Sequence, residues 1–98
     1  MDINVNRSGS KLTLALTGRL DTVTAPQLET VLDEQLKGIA ELVFDLAMLE
    51  YISSAGLRLL LKAQKLMNRQ GSMLVRSVNE MIREVLDITG FSDILTIE

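Results

Sequence analysis

Five residues in the middle of the chain, Leu42-Val43-Phe44-Asp45-Leu46, restrict the fold more than any other segment. Neighbouring residues of a strand point to opposite faces, so adjacent apolar side chains ask for cover on both faces, or nearly so. The flanking segments have the period of helices instead. Leu28, Val31, Leu32 and Leu36 recur at helical spacing before the run, and Leu57, Leu60, Leu61 and Met67 recur after it, with Ala63 beside them. A short apolar strand between two amphipathic helices is the pattern of a parallel sheet joined by right-handed crossovers.

The remaining elements follow from periodicity and turn chemistry. Residues 2–6 and 11–17 read as two strands joined by the turn Arg7-Ser8-Gly9-Ser10. Leu12, Leu14 and Leu16 alternate with Thr13, Ala15 and Thr17, which gives one buried face. The first helix is expected from about Ala25 to Lys37, with Thr24 as N-cap, Gln27 completing a capping box and Pro26 in the first turn. Gly38 is a natural stop. The second helix is expected to start at Ser53 or Ser54 and to end before Gly71, and Ser72 to Arg76 reads as a strand. Ser77 and Glu80 form a second capping box, opening a helix with Val78, Met81, Ile82, Val85 and Leu86 on its apolar side and ending at Gly90. Ile94 to Ile97 is read as a last short strand. The expected fold is a single α/β domain over residues 1–98, a mixed, mostly parallel sheet packed with helices, in the order ββαβαβαβ.

Composition removes several classes of function. A 98-residue chain builds one core and leaves little room for a deep substrate pocket. The net charge of -3 carries no basic block, so nucleic acid is not an expected partner. The three aromatics, Phe44, Tyr51 and Phe91, are too few for a base-stacking platform. The absence of Cys and His removes thiol chemistry, the commonest general base and the commonest metal ligand. No EF-hand spacing, phosphate-binding Gly loop or GxSxG elbow occurs. The first residues, MDINVNRSGS, lack an apolar signal core, and no stretch approaches the roughly 18 apolar residues of a membrane span. The expected location is the cytoplasm, with no direct membrane insertion.

In an open α/β sheet, sites form beyond the carboxyl ends of the strands. Two segments qualify: Thr17 to Thr24, leading into the first helix, and Asp45 to Leu57, leading into the second. The second holds Ser53-Ser54-Ala55-Gly56. These serines read first as N-caps, and a helix N-terminus also tolerates a phosphate, because its free N–H groups and dipole attract anions. Ala55 and Gly56 fit either close approach by another protein or relief of crowding against the sheet. Asp21 reads as a turn residue and Asp45 as a strand end; both are expected near this edge, without a nucleophile or base to make them catalytic. Tyr51 reads as buried under the loop. Lys62, Lys65 and Arg69 are spaced for the solvent face of a helix.

The motif Asp45-Leu46, Leu49, Tyr51-Ile52-Ser53-Ser54-Ala55-Gly56-Leu57 resembles the signature of STAS domains, in the branch of anti-sigma factor antagonists. Thr17-Gly18-Arg19-Leu20-Asp21 with Thr24-Ala25, and Ile88-Thr89-Gly90-Phe91, resemble the family's flanking segments in the same order. The resemblance implies a non-enzymatic protein switch. The unphosphorylated antagonist binds an anti-sigma factor that is also a serine kinase, which releases the sigma factor. The kinase then phosphorylates the antagonist, and a serine phosphatase of the PP2C type resets it. ATP and Mg2+ belong to the kinase, and the antagonist needs no cofactor or metal. On this match Ser54 is the phosphoacceptor. The partner surface comprises Asp21, Thr22, Thr24, Ser53, Ser54, Ala55, Gly56, Leu57 and Arg58, on a chain that is monomeric when free. Ser53 stands where some members carry Asp, which leaves two adjacent hydroxyls to distinguish. Two alternatives stand beside it: a non-phosphorylated STAS regulatory subunit of a membrane lipid-transport complex, and a small enzyme or nucleotide-binding domain, against which the missing His, Cys and phosphate loop argue.

Overall fold

The computed structural model describes residues 1–98. Strands β1 (Asp2–Ser8) and β2 (Lys11–Leu20) form an antiparallel hairpin. Helix α1 (Ala25–Gln35), strand β3 (Glu41–Ile52), helix α2 (Ser54–Gln70), strand β4 (Ser72–Arg76) and helix α3 (Glu80–Ile88) follow. The sheet order is β1-β2-β3-β4, with β2, β3 and β4 mutually parallel. The strand expected at Ile94 to Ile97 is reduced to one parallel bridge between Val75 and Ile97. A 3-10 turn at Phe91–Asp93 winds the chain up to that point, so the element order is ββαβαβα.

The strand register sorts the side chains. Leu12, Leu42 and Met73 align in one row, and Leu14, Phe44 and Val75 in the next. Both rows join a continuous core with Leu28, Leu32, Leu60, Ala63, Met67, Ile82 and Leu86. The intervening row of Thr13, Val43 and Leu74 points the other way. Val43 is buried yet lies outside that core. The apolar run is thus covered on both faces, Leu42 and Phe44 by the main core and Val43, 1% exposed, on the opposite face. Both crossovers step across the sheet in the same direction, so right-handedness puts α1 and α2 on the same side.

β2 and β3 run further than their alternation suggested. β3 continues six residues past Leu46, through a stretch read as loop. Its pairing with β2 shifts twice: Ala15 and Thr17 oppose Asp45 and Met48, and Gly18 and Arg19 oppose Leu49 and Tyr51. Each shift inserts one extra residue on β3, which is a β-bulge. Leu46, Leu49 and Ile52, three residues apart, all stay inward as a result.

Local caps also differ from expectation. Thr24 has helical dihedrals and makes no cap bond, so its box with Gln27 does not form; Gln27 instead donates to the Met1 carbonyl at 2.9 Å. Ser77 takes a positive φ of 60° and cannot cap. Asn79 caps α3 in its place, its Oδ1 accepting from the Ile82 N–H at 2.8 Å while its Nδ2 donates to the Leu49 carbonyl at 2.9 Å. Met81, expected inward, is 56% exposed because α3 begins at Glu80 and turns that position outward. In α2 the buried stripe uses Leu59, with Leu61 only half-buried. α1 stops at Gln35, short of Lys37, where Gln70 Nε2 holds the Leu36 and Ile39 carbonyls at 2.7 Å each.

Candidate functional site

The carboxyl ends of β2 and β3 meet where the Ser53 N–H donates to the Leu20 carbonyl at 2.9 Å. That bond sets the Asp21 turn beside the start of α2. Asp21 Oδ1 accepts from the N–H groups of Val23 and Thr24, both at 3.0 Å, and the Ala25 N–H donates to the Asp21 carbonyl at 2.8 Å. Thr24 Oγ1 accepts from the Asp21 N–H at 2.9 Å and donates to the Arg19 carbonyl at 2.8 Å. The turn is thus closed from both sides by side chains. The Asp21 carboxyl is held below its ordinary value, chiefly by the Thr24 N–H; burial opposes, and the Val23 N–H, the Thr24 hydroxyl and Arg19 add to the lowering.

Arg19 lies 3.7 Å from the Asp21 carboxylate, and its guanidinium stands 4.3 Å from the centre of the Tyr51 ring. Tyr51, expected under the loop, is 37% exposed. The second bulge turns it to the surface, where a cation over its face is favourable. Asp45, expected near Asp21, is elsewhere. It sits within β3 on the face away from the core, accepts from the Ala47 N–H at 3.1 Å and pairs with Arg76 at 3.4 Å. The two carboxylates form no pair.

The two serines have different surroundings. Ser53 has extended dihedrals, makes no side-chain cap bond, and its Oγ is buried without a hydrogen-bond partner. Ser54 is the first residue of α2 and is exposed. Neither serine caps the helix through its side chain. Ser54 thus presents its hydroxyl among the unpaired N–H groups of the first turn.

Gly56 has a packing role. A methyl group there would meet Leu20 Cγ at 2.6 Å and Ile52 Cγ1 at 2.9 Å, so its missing side chain lets α2 sit directly on β2 and β3. Gly56 and Leu57 face the interior, while Thr22, Ser54 and Arg58 are exposed and Asp21, Thr24, Ser53 and Ala55 are half-buried. Thr22, Ala25, Pro26, Glu29, Ala55 and Arg58 are among the residues lining a shallow hollow of about 320 Å³ between α1 and α2. Residue reading missed Val23, which is 86% exposed within the same turn. An apolar residue inside a Thr-rich turn was the available signal.

The site is thus an exposed serine at a helix N-terminus with a braced Asp turn beside it, carried on a two-layer α/β domain. The STAS domain family model matches residues 2–98, and the chain belongs to that family. BtrV of Bordetella bronchiseptica, provisionally named an anti-sigma factor antagonist, is 37% identical over 99 residues, covering 99% of this chain and 85% of BtrV. An anti-sigma factor antagonist from Mycobacterium paratuberculosis superposes with a TM-score of 0.89 at 23% identity, covering 98% of this chain and 83% of that one. The anti-sigma factor antagonist SpoIIAA superposes at 14% identity with a TM-score of 0.86 in its unphosphorylated form, covering 99% of this chain and 88% of that one. Its phosphorylated form gives 0.69, covering 99% and 91%. At these identities the structural likenesses establish the fold.

Proposed function

We propose that the protein is an anti-sigma factor antagonist whose unphosphorylated form binds an anti-sigma factor with serine-kinase activity, and whose binding is switched off by phosphorylation at Ser54. The observation that carries this reading is the contrast between the two serines: Ser54 is exposed at the helix start, while Ser53 Oγ is buried. A kinase must reach the hydroxyl it modifies, so Ser54 is the acceptor. ATP and Mg2+ are brought by the kinase, and a phosphatase resets the switch in the cytoplasm. The chain performs no chemistry itself and is monomeric when free. The partner surface is the turn from Asp21 to Thr24 with Ser54, Ala55 and Arg58, seated on Gly56 and Leu57.

The energetics suit a switch. A phosphate adds about -1.5 to -2 charge at pH 7. The helix end favours that charge by about 0.3–1 kcal/mol, so the domain stays folded. Burying it unpaired in an interface costs about 2–5 kcal/mol. At about 1.4 kcal/mol per tenfold, affinity falls roughly 30- to several-thousand-fold. Titration calorimetry against the cognate anti-sigma factor should find Ser54→Ala binding like wild type and Ser54→Asp binding more weakly; equal affinities would refute the switch. Mass spectrometry after incubation with kinase and ATP should place the phosphate on Ser54, and a phosphate on Ser53 would refute the assignment.

A further inference from the structure

Helix α2 has no Asp or Glu along its 17 residues. Its outward side carries Arg58, Lys62, Lys65 and Arg69, four of the ten cations in a chain of net charge -3. Spacings of four, three and four residues put them on one stripe. A helix face that serves only solvation usually mixes signs. Here only Lys62 is paired, with Glu29 at 3.3 Å and Asp33 at 3.7 Å. Arg58, Lys65 and Arg69 have no carboxylate within ion-pair distance. The four cations wall a groove of about 390 Å³, with Leu61 and Leu66 completing its lining. This groove is continuous with the hollow beside Ser54, because Arg58 and Lys62 line both. Arg69 lies fifteen residues beyond Ser54, about 22 Å along the helix axis.

From this continuous basic groove we infer a second docking surface: the outer face of α2, running from Arg58 beside the phosphoserine site out to Lys65 and Arg69, receives an acidic, leucine-bearing segment of the anti-sigma factor. This rests on the proposed function. Charge complementarity selects the acidic residues, and the apolar lining between the cation stems selects the leucines. A membrane surface fits less well, because Leu61 and Leu66 lie within a groove and the chain as a whole is acidic. The surface acts mainly on association rate, and its effect falls with salt because exposed charges are screened within about 10 Å at 0.1 M.

The test measures binding of the purified cognate anti-sigma factor to wild type, Lys65→Glu/Arg69→Glu, Lys65→Gln/Arg69→Gln, Ser54→Asp and the combined Ser54→Asp/Lys65→Glu/Arg69→Glu, at about 50 and 500 mM salt. Circular dichroism first checks that each variant is folded; the glutamine pair stands in if charge reversal unfolds the helix. The reversal should weaken binding about ten- to a hundredfold at low salt and within about threefold at high salt, with glutamine intermediate. The Ser54→Asp loss should multiply independently with the reversal, because the sites are well separated. Wild-type affinity in the reversal variant, with Ser54→Asp still weak, overturns the second surface and leaves the function standing. No binding by wild type overturns the functional reading and this inference with it. Loss of binding to phosphatidylglycerol vesicles, with anti-sigma factor binding unchanged, assigns the groove to a membrane and also overturns the inference.

Discussion

Gly56 allows the most direct test of how the site is held. An alanine there places Cβ 2.6 Å from Leu20 Cγ and 2.9 Å from Ile52 Cγ1. Comfortable carbon–carbon contact is about 3.5–4.0 Å, so roughly 1 Å must be found. Leu20 is 0% and Ile52 5% exposed, and the first clash is with a mid-side-chain atom, so neither neighbour can simply swing away. Overpacking costs about 1–3 kcal/mol. A fully buried, unyielding site belongs in the upper half of that range. Replacing a helical Gly by Ala returns about 1 kcal/mol. The net for Gly56→Ala is a loss of about 1–2 kcal/mol, or about 4–16 °C in Tm for a domain of this size. Gly56→Val adds two methyl groups and a β-branched penalty, so its loss should exceed about 3 kcal/mol. Urea unfolding of the three proteins measures this directly. The movement also pulls Ser53 from the Leu20 carbonyl and tilts the start of α2, so partner binding should weaken in the same order. Gly56→Ala as stable as wild type, or more so, would refute the packing argument.

Asn79→Ala removes both the α3 cap and the bond to the Leu49 carbonyl. At about 1 kcal/mol each, denaturant unfolding should report a loss of about 2 kcal/mol. Asn79→Asp, which keeps the acceptor and loses the donor, should recover about half; full recovery would mean that the Leu49 bond contributes nothing. The pH dependence of Tm tests the Asp21 turn. Its carboxyl is lowered from 3.8, so it contributes stability above that value and loses it as pH falls through the lower folded value. Asp87 is lowered as well, chiefly by the Ser92 hydroxyl, and titrates in the same window. The informative quantity is therefore the Tm gap between wild type and Asp21→Asn, which should be constant near neutrality and close below about pH 4. A gap independent of pH would show that the charge of Asp21 is idle.

What the sequence determined by itself was local. Alternation in Leu12, Leu14 and Leu16, helical spacing in Leu57, Leu60 and Met67, and a strand–helix order that permits only a few topologies were all legible, because period and handedness belong to short stretches of chain. The family was legible too, since the motif around Ser54 is contiguous. Long-range pairing decided the rest. The two bulges of β3 break the period of two, so the strand to Ile52 could be seen only once β2 lay beside it. Asn79 caps α3 in place of Ser77, and Asp21 closes the turn before α1 while Thr24 makes no cap bond, because backbone dihedrals decide which side chain reaches a free N–H. The same holds for the serines. Chemically they are equivalent in the sequence, and only the tertiary structure, with the Ser53 N–H bonded to the Leu20 carbonyl and Ser54 opening α2, buries one hydroxyl and presents the other.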